Sequence, residues 1–228
     1  MGRDAFFDLL RDNGLLVRKR RRRKPITTFS NHPFKKYQNL IKGFEPTAPN
    51  QLWVSDITYI HLQDDFAYLS LITDAYSRKI VGFCLHHNLS ARGTINALQM
   101  ALKSIPKRDK QDARLVHHSD RGLQYGCNDY VTILNDNHIS ISMTQTGDPL
   151  ENAIAERVNG ILKDELLEEV HPDFETALNN VAIAISTYNH LRPHGSIEML
   201  TPREAHQLYR PLKRTWKNYY KRKEEVML

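Results

Sequence analysis

His117-His118-Ser119-Asp120-Arg121-Gly122-Leu123-Gln124-Tyr125 is the stretch on which the reading of this chain turns. Residues 114–117 have the short β-branched and apolar character of a strand, and Asp120 stands just past its end. Gly122 permits a tight turn into a helix expected at about residues 126–136, and Ile139 to Ser142 read as a further short strand. Open α/β sheets present their sites at the carboxyl ends of parallel strands, so Asp120 is a candidate site residue.

Outward from this stretch the pattern is mostly strand on the amino side. Residues 52–61 and 66–73 flank Gln63-Asp64-Asp65, a hairpin turn, which assigns Asp64 and Asp65 to turn chemistry. Residues 79–86 form a third strand after the turn Asp74-Ala75-Tyr76-Ser77, where Asp74 reads as a turn former. Ser90 caps a helix through about Ser104, with Ile95, Leu98 and Leu102 on one face. The order β-β-β-α-β-α-β-α predicts a mixed five-stranded α/β layer flanked by helices around one main core.

On the carboxyl side, Asp148, Pro149 and Glu151 form a helix-start signature of N-cap, first-turn proline and capping box. At about 100° per residue, Ile154, Val158, Ile161 and Leu162 make one apolar stripe. Asn152, Glu156 and Lys163 fall on the opposite side, so Glu156 can point at whatever the strands present. Singly, Glu156 and Lys163 read equally well as ordinary exposed helix residues.

A third acid, Asp56, lies in Trp53-Val54-Ser55-Asp56-Ile57-Thr58-Tyr59-Ile60. A carboxylate inside an apolar strand costs free energy unless something neutralises it. Asp120 and Glu156 are 36 positions apart. Two Asp and one Glu brought to one point would repel, and divalent cations are the usual remedy. Asp56, Asp120 and Glu156 are therefore the candidate catalytic and metal-binding residues. His117 and His118 read as packing or surface residues, and Tyr125 as a packed helix residue.

Charge is unevenly spread. Residues 1–50 hold 12 Lys/Arg against 4 Asp/Glu, residues 51–202 hold 12 against 19, and residues 203–228 hold 8 against 3. An acidic middle between basic arms suits a metal-binding core flanked by segments that hold a polyanion, and equally two solvated tails. Residues 4–17 read as a short helix with Phe6, Phe7, Leu9 and Leu10 on its apolar side and a stop at Asn13-Gly14. Arg18 to Lys24 is an unbroken basic run, either a solvated linker or a phosphate-tracking arm in which Arg20, Arg21, Arg22, Arg23 and Lys24 contact DNA. Pro25 to Asn50 reads as a linker. No apolar run is long enough to cross a membrane and no signal peptide opens the chain, so a cytoplasmic location is expected. Cys84 and Cys127 have no metal-like spacing and read as free thiols. These features divide the chain into a basic amino-terminal helix and linker (1–50), a core (51–170) and a helical extension with a basic tail (171–228).

Taken together, Trp53-x-x-Asp56-Ile57-Thr58-Tyr59, His118-Ser119-Asp120-Arg121-Gly122-x-Gln124-Tyr125 and Asn152-Ala153-x-x-Glu156 with Leu162-Lys163 resemble the DDE transposases of the bacterial IS-three family. Tyr188-Asn189-x-x-Arg192-Pro193-His194 and Leu200-Thr201-Pro202 resemble that family's carboxyl end. The resemblance, to the product of the second reading frame, covers roughly residues 1–210. It implies an RNase H-like integrase catalytic core in which Asp56, Asp120 and Glu156 hold two Mg²⁺ ions, with Mn²⁺ able to substitute. It also implies a helix-turn-helix region ahead of the core; here a short helix and the basic run stand in that place, so that part is expected to be truncated or encoded elsewhere. Arg157 follows Glu156 where the family commonly has Ser.

The activity implied is metal-dependent cleavage of insertion-sequence DNA ends followed by strand transfer, often to the other end of the same element. Expected partners are double-stranded DNA at transposon ends and target, further copies of the chain on DNA, and possibly an upstream reading-frame product; the nucleoid is the expected place of action. Asn152, Lys163 and Arg121 are candidate DNA contacts, and Arg192 and His194 could touch DNA or simply form a turn. Two other readings compete: a catalytically inactive, truncated transposase that binds DNA as a regulator, and an RNase H-like nuclease with another substrate.

Overall fold

The computed structural model of the chain describes residues 2–16, 32–106, 115–145 and 152–213. Three strands come first: β1 (Leu52–His61), β2 (Phe66–Asp74) and β3 (Ile80–His86). The helix α2 (Ala91–Ser104) follows, with α1 (Arg3–Asp12) far upstream. Then come β4 (Val116–Ser119), the single turn α3 (Leu123–Gly126), α4 (Asn128–Asp136) and β5 (Ser140–Met143). The last third holds α5 (Ala153–Ile161), running into a π-helical turn at Leu162–Leu166, then α6 (Phe174–His190) and the short α7 (Pro202–Ala205).

The strands form one five-stranded sheet in the order β3-β2-β1-β4-β5. β1 to β3 are antiparallel, while β4 and β5 run parallel to β1. The first two turns match the sequence expectation: Asp64 and Asp65 sit in the β1–β2 turn, and buried Asp74 accepts from Ser77 N and Ser77 Oγ at 2.8 and 2.7 Å.

Alternation along β1 sorts its side chains between two cores. Trp53 and Ile57 join α2, α4 and β5 residues such as Leu98, Leu134 and Met143 on one face. Ile60, on the other face, packs with Leu69, Leu71, Val158, Ile161, Val181 and Ile185 from β2, α5 and α6. Asp56, four residues before Ile60, therefore faces α5. The helix α2 lies so close to β3 that a Cβ on Gly82 would stand 2.2 Å from the Ala97 carbonyl oxygen.

Several boundaries differ from the expectation. β4 extends two residues further than read, to Ser119, because its ladder with β5 continues through Ser119 and Met143. The helix expected at 126–136 is broken at Cys127, whose backbone is extended (φ −67°, ψ 149°), giving α3 and α4. Gly122 has an ordinary φ of −64°, so its role is spatial: a Cβ there would stand 2.9 Å from Asp120 Oδ1. Ser90 occupies the N-cap position of α2 but its hydroxyl makes no capping bond. α1 ends at Asp12, earlier than read, and Phe6, Phe7 and Leu9 on its apolar side are exposed.

Residues 32–50 contain no helix or strand, yet they are anchored to the core: Leu40 N donates to Ser142 Oγ at 2.9 Å. At the other end, Asn189 closes the β3 edge by accepting from Ile80 N and donating to Ile80 O, both at 3.0 Å. Asn189 thus does the work of a neighbouring strand, a structural role for the Tyr188-Asn189 motif.

Candidate active site

Asp56 sits midway along β1, paired with Leu71 of β2. Beside it, β4 runs parallel in the register Val54↔His118. Two residues further along each strand come Asp56 and Asp120, so the register brings the two acids level where the strands part. Asp120 is fixed by its own turn, Oδ1 accepting from Gly122 N at 2.9 Å.

Asp56 Oδ1 accepts from Ile57 N at 2.9 Å, and Oδ2 accepts from Asn159 Nδ2 at 2.6 Å. Its carboxyl is pushed up to about 7, first by burial and then by the charge of Asp120; the two hydrogen bonds oppose the shift, and the charge of Glu156 adds to it. Asp56 is therefore a carboxylate under electrostatic pressure from the other two acids.

The helix α5 lies along β1 through one face. Asn152 donates to Ser55 O at 3.0 Å, Asn159 holds Asp56, and Lys163 Nζ donates to Thr58 Oγ1 at 3.3 Å. Glu156 is four residues after Asn152 and three before Asn159, so it shares their face at the level of Asp56. Its side chain is exposed, at the open mouth of the site. Among the described residues no group of three or more His, Cys, Asp or Glu is close enough to hold a metal ion as the side chains stand.

The face of α5 opposite its apolar stripe meets the strands, as the sequence reading allowed: Asn152 is only 7 % exposed and Lys163 lies 3.7 Å from the Tyr59 ring centroid. The helix is buried on two sides because it is wedged between the sheet and α6; Ala155 and Asn159 join Val158, Ile161 and Leu162 inside, while Ile154 is half-buried. The expected capping residues Asp148, Pro149 and Glu151 lie outside the described residues, and α5 starts at Ala153 with Asn152 making no side-chain cap.

The remaining expected residues are scattered. Arg20, Arg21, Arg22, Arg23 and Lys24 lie outside the described residues. Arg121 follows Asp120 and is half-buried, its carbonyl within 2.9 Å of His32 Nε2 and its Nε buried with no hydrogen-bond partner among the described residues. His117 and His118 are core residues, the packing alternative of the two that the sequence left open. His117 Nε2 lies 2.7 Å from Ser55 Oγ and 2.9 Å from Tyr130 OH, and burial, then the neighbouring His118, hold its imidazole down at about 3. His118 Nδ1 meets Ser142 Oγ at 2.8 Å. Tyr125 is 3 % exposed and packs edge-on against Tyr130 at 5.5 Å. Cys84 and Cys127 are free thiols.

Asn159 is the residue that sequence reasoning missed. The available signal was its spacing from Asn152 and Glu156, which keeps all three on one helix face.

Comparison with known proteins places this geometry. The model of an integrase core domain matches residues 46–149, and a second integrase core domain model matches residues 137–202. An uncharacterized 31 kDa protein of insertion element IS600 from Shigella sonnei is 34 % identical over 218 residues, covering 92 % of this chain and 76 % of that protein. The InsF transposase of insertion sequence IS3A from Escherichia coli K12 is 32 % identical over 163 residues, covering 71 % of this chain and 55 % of its own length. The chain thus spans about three quarters of one relative and about half of the other. Among solved structures, the HTLV-2 integrase catalytic core domain in its trimeric complex with magnesium superposes with a TM-score of 0.55 at 19 % identity, covering 71 % of this chain and 99 % of that one. The sheet order and flanking helices are those of the RNase H-like fold expected from the motifs.

Proposed function

The chain belongs to the IS-three family of insertion-sequence transposases, nucleotidyl transferases of DNA transposition built on an integrase core, and from that premise we propose that Asp56, Asp120 and Glu156 are its catalytic triad. The observation that carries the reading is geometric: the β1–β4 register sets Asp56 and Asp120 level, and the bonds of Asn152 and Asn159 to β1 seat the helix of Glu156 at the same height.

The donor set fits a hard divalent cation such as Mg²⁺: three carboxylates, no thiolate, and two histidines committed to the core. Bound by Asp56, Asp120 and Glu156, two such ions would supply Lewis acidity at phosphorus, activating the attacking oxygen and stabilising the leaving one. The chain's own groups do the orienting. Asn159 and Ile57 N direct both oxygens of Asp56, and Gly122 N directs one oxygen of Asp120. Glu156, exposed at the mouth, is free to turn toward them. Lys163 and Arg121 would contact the DNA backbone, as would the basic run at Arg20 to Lys24, while Asn152, buried and bonded to Ser55 O, seats the helix on β1.

The first reaction is hydrolysis of a phosphodiester at the element's end. A water oxygen bonds to phosphorus and the P–O3′ bond breaks, leaving a 3′-hydroxyl and a 5′-phosphate. In the second, that hydroxyl oxygen bonds to phosphorus of another strand and expels its 3′-oxygen. One P–O bond forms as one breaks, so strand joining needs no ATP. Two DNA ends must meet, so the active species is a homo-oligomer on DNA, acting at the bacterial nucleoid; an upstream reading-frame product is a further proposed partner for end recognition.

The test is cleavage and joining of a labelled duplex carrying the element's terminal repeat, with Mg²⁺ or Mn²⁺, with EDTA, and with Glu156→Gln. Metal-dependent nicking to a 3′-hydroxyl and a joined product, both absent in Glu156→Gln, are expected. Duplex binding without nicking, equal in both proteins, would overturn the catalytic reading and leave a DNA-binding regulator.

A further inference from the structure

Behind Glu156, the other side of α5 borders a second feature. Arg78, Arg157, Arg192 and His194 line one open cavity of about 380 Å³, with Ala153 and Ile154 forming part of an apolar wall. Among the described residues that line it there is no carboxylate. The four nitrogen-bearing groups come from three places: the β2–β3 turn, α5 and the loop after α6.

Two of the guanidinium groups are held in place. Arg192 makes a forked pair with Glu165, Nε to Oε2 at 2.8 Å and NH2 to Oε1 at 3.0 Å, which neutralises part of the charge. Arg78 reaches the Ala75 carbonyl and donates from Nε to Ser196 Oγ at 3.2 Å. Arg157 is exposed and makes no hydrogen bond or ion pair with a described residue. His194 Nδ1 lies 3.4 Å from Ser196 N and 3.0 Å from Ser196 Oγ. Its Nε2 is buried with no hydrogen-bond partner among the described residues. Burial, and then all three guanidinium groups, hold the His194 imidazole down at about 4, so the cations converge on this ring.

Three guanidinium groups around one cavity, that of Arg157 without a partner among the described residues, suit an oxyanion, and a guanidinium fork matches two phosphate oxygens. The cavity is roomier than an isolated phosphate requires, and its apolar wall suits a sugar. Its position then selects the source of the phosphate, because Arg157 follows Glu156 on the same helix. We infer that this cavity seats a backbone phosphate of the DNA strand leaving the active site, with Arg157 as its mobile clamp and Arg78, Arg192 and His194 as its fixed wall. The inference rests on the proposed DNA substrate, and it adds a contact on the far side of α5 from Lys163.

The experiment measures duplex binding by the full chain in EDTA, by fluorescence anisotropy across a salt series, for wild type, Arg157→Gln and Arg157→Lys. Arg157→Gln is expected to weaken binding irrespective of duplex sequence and to make the slope of log K against log salt shallower by about 0.9, the loss of one phosphate contact. Arg157→Lys should restore most of the slope. Unchanged slope and affinity in Arg157→Gln, in a protein whose wild type nicks the duplex, would overturn the phosphate seat and leave the catalytic reading standing. A shallower slope in a protein that never nicks would support the seat while the catalytic reading falls. Inorganic phosphate, added at matched ionic strength, separates the two sources: millimolar phosphate that binds wild type but not Arg157→Gln without displacing the duplex would overturn the strand assignment in favour of a free-anion site, whereas Arg157-dependent displacement of the duplex would support the strand assignment.

Discussion

Asn159 and Asp56, 103 residues apart in sequence, are joined by a 2.6 Å hydrogen bond from the helix that carries Glu156 to the central strand. The bond fixes one Asp56 oxygen and at the same time sets the height of α5 against the sheet. A charged acceptor makes this a strong hydrogen bond, worth about 1.5–3 kcal/mol.

Asn159→Leu should therefore impair activity without removing any of the three acids. Groups that orient metal ligands typically contribute about 10–100-fold in metal affinity or activity. The expected result is a rise of that order in the Mg²⁺ concentration needed for half-maximal nicking, read from a metal titration. An unchanged titration would show that Asp56 is oriented without Asn159.

The raised Asp56 carboxyl predicts a pH dependence of stability. With its folded value at about 7 and an unfolded value of about 3.9, Asp56 favours folding below about pH 4, and that contribution is lost as pH rises to about 7. In EDTA, Asp56→Asn should therefore gain stability relative to wild type across pH 4 to 7 and hold the gain above it, by up to about 4 kcal/mol. Thermal unfolding at several pH values measures this. Added MgCl₂ should raise the melting temperature of wild type but not of Asp56→Asn.

Asp74 behaves in the opposite sense. It is fully buried, and although burial alone would raise its carboxyl, bonds and charge from His206 and the bonds from Ser77 hold it below the usual range. Its contribution is present above about pH 3.9 and lost as pH falls through the lower folded value. Asp74→Ala would strand Ser77 N, Ser77 Oγ and Asn50 N, which now donate to it at 2.7–2.8 Å. Destabilisation of about 3–5 kcal/mol is expected from urea unfolding at pH 7, shrinking at acid pH.

Gly82→Ala tests the contact between α2 and β3. The added methyl meets the Ala97 backbone carbonyl and the Ala101 Cβ, at 2.2 and 2.9 Å, and a backbone cannot step aside as a side chain can. A loss of about 1–3 kcal/mol is expected, or about 2–4 °C in Tm per kcal/mol for a domain of this size. Calorimetry that finds no change would mean that α2 can shift freely on the sheet.

Much was legible in the chain before any tertiary structure. Alternation marked β1 and β2 nearly to the residue, Asp64 and Asp74 were recognisable as turn formers, and Asp56, Asp120 and Glu156 stood out within their motifs. These features are local, because a strand's period and a turn's chemistry are carried by neighbours in sequence. What lay beyond reach is nonlocal. Nothing near Asn159 announces Asp56, nothing near Asn189 announces the β3 edge at Ile80, and Arg78, Arg157, Arg192 and His194 share a cavity only because the β2–β3 turn, α5 and the loop after α6 meet. The two-sided burial of α5 stayed open for the same reason: helical periodicity identifies one apolar stripe, but whether the polar side meets water or a strand depends on what packs there. The sequence by itself determined which segments could be strands, helices and acids. Only the tertiary structure decided which groups share a hydrogen bond or a field, because those depend on distances across the fold that the order of residues does not contain.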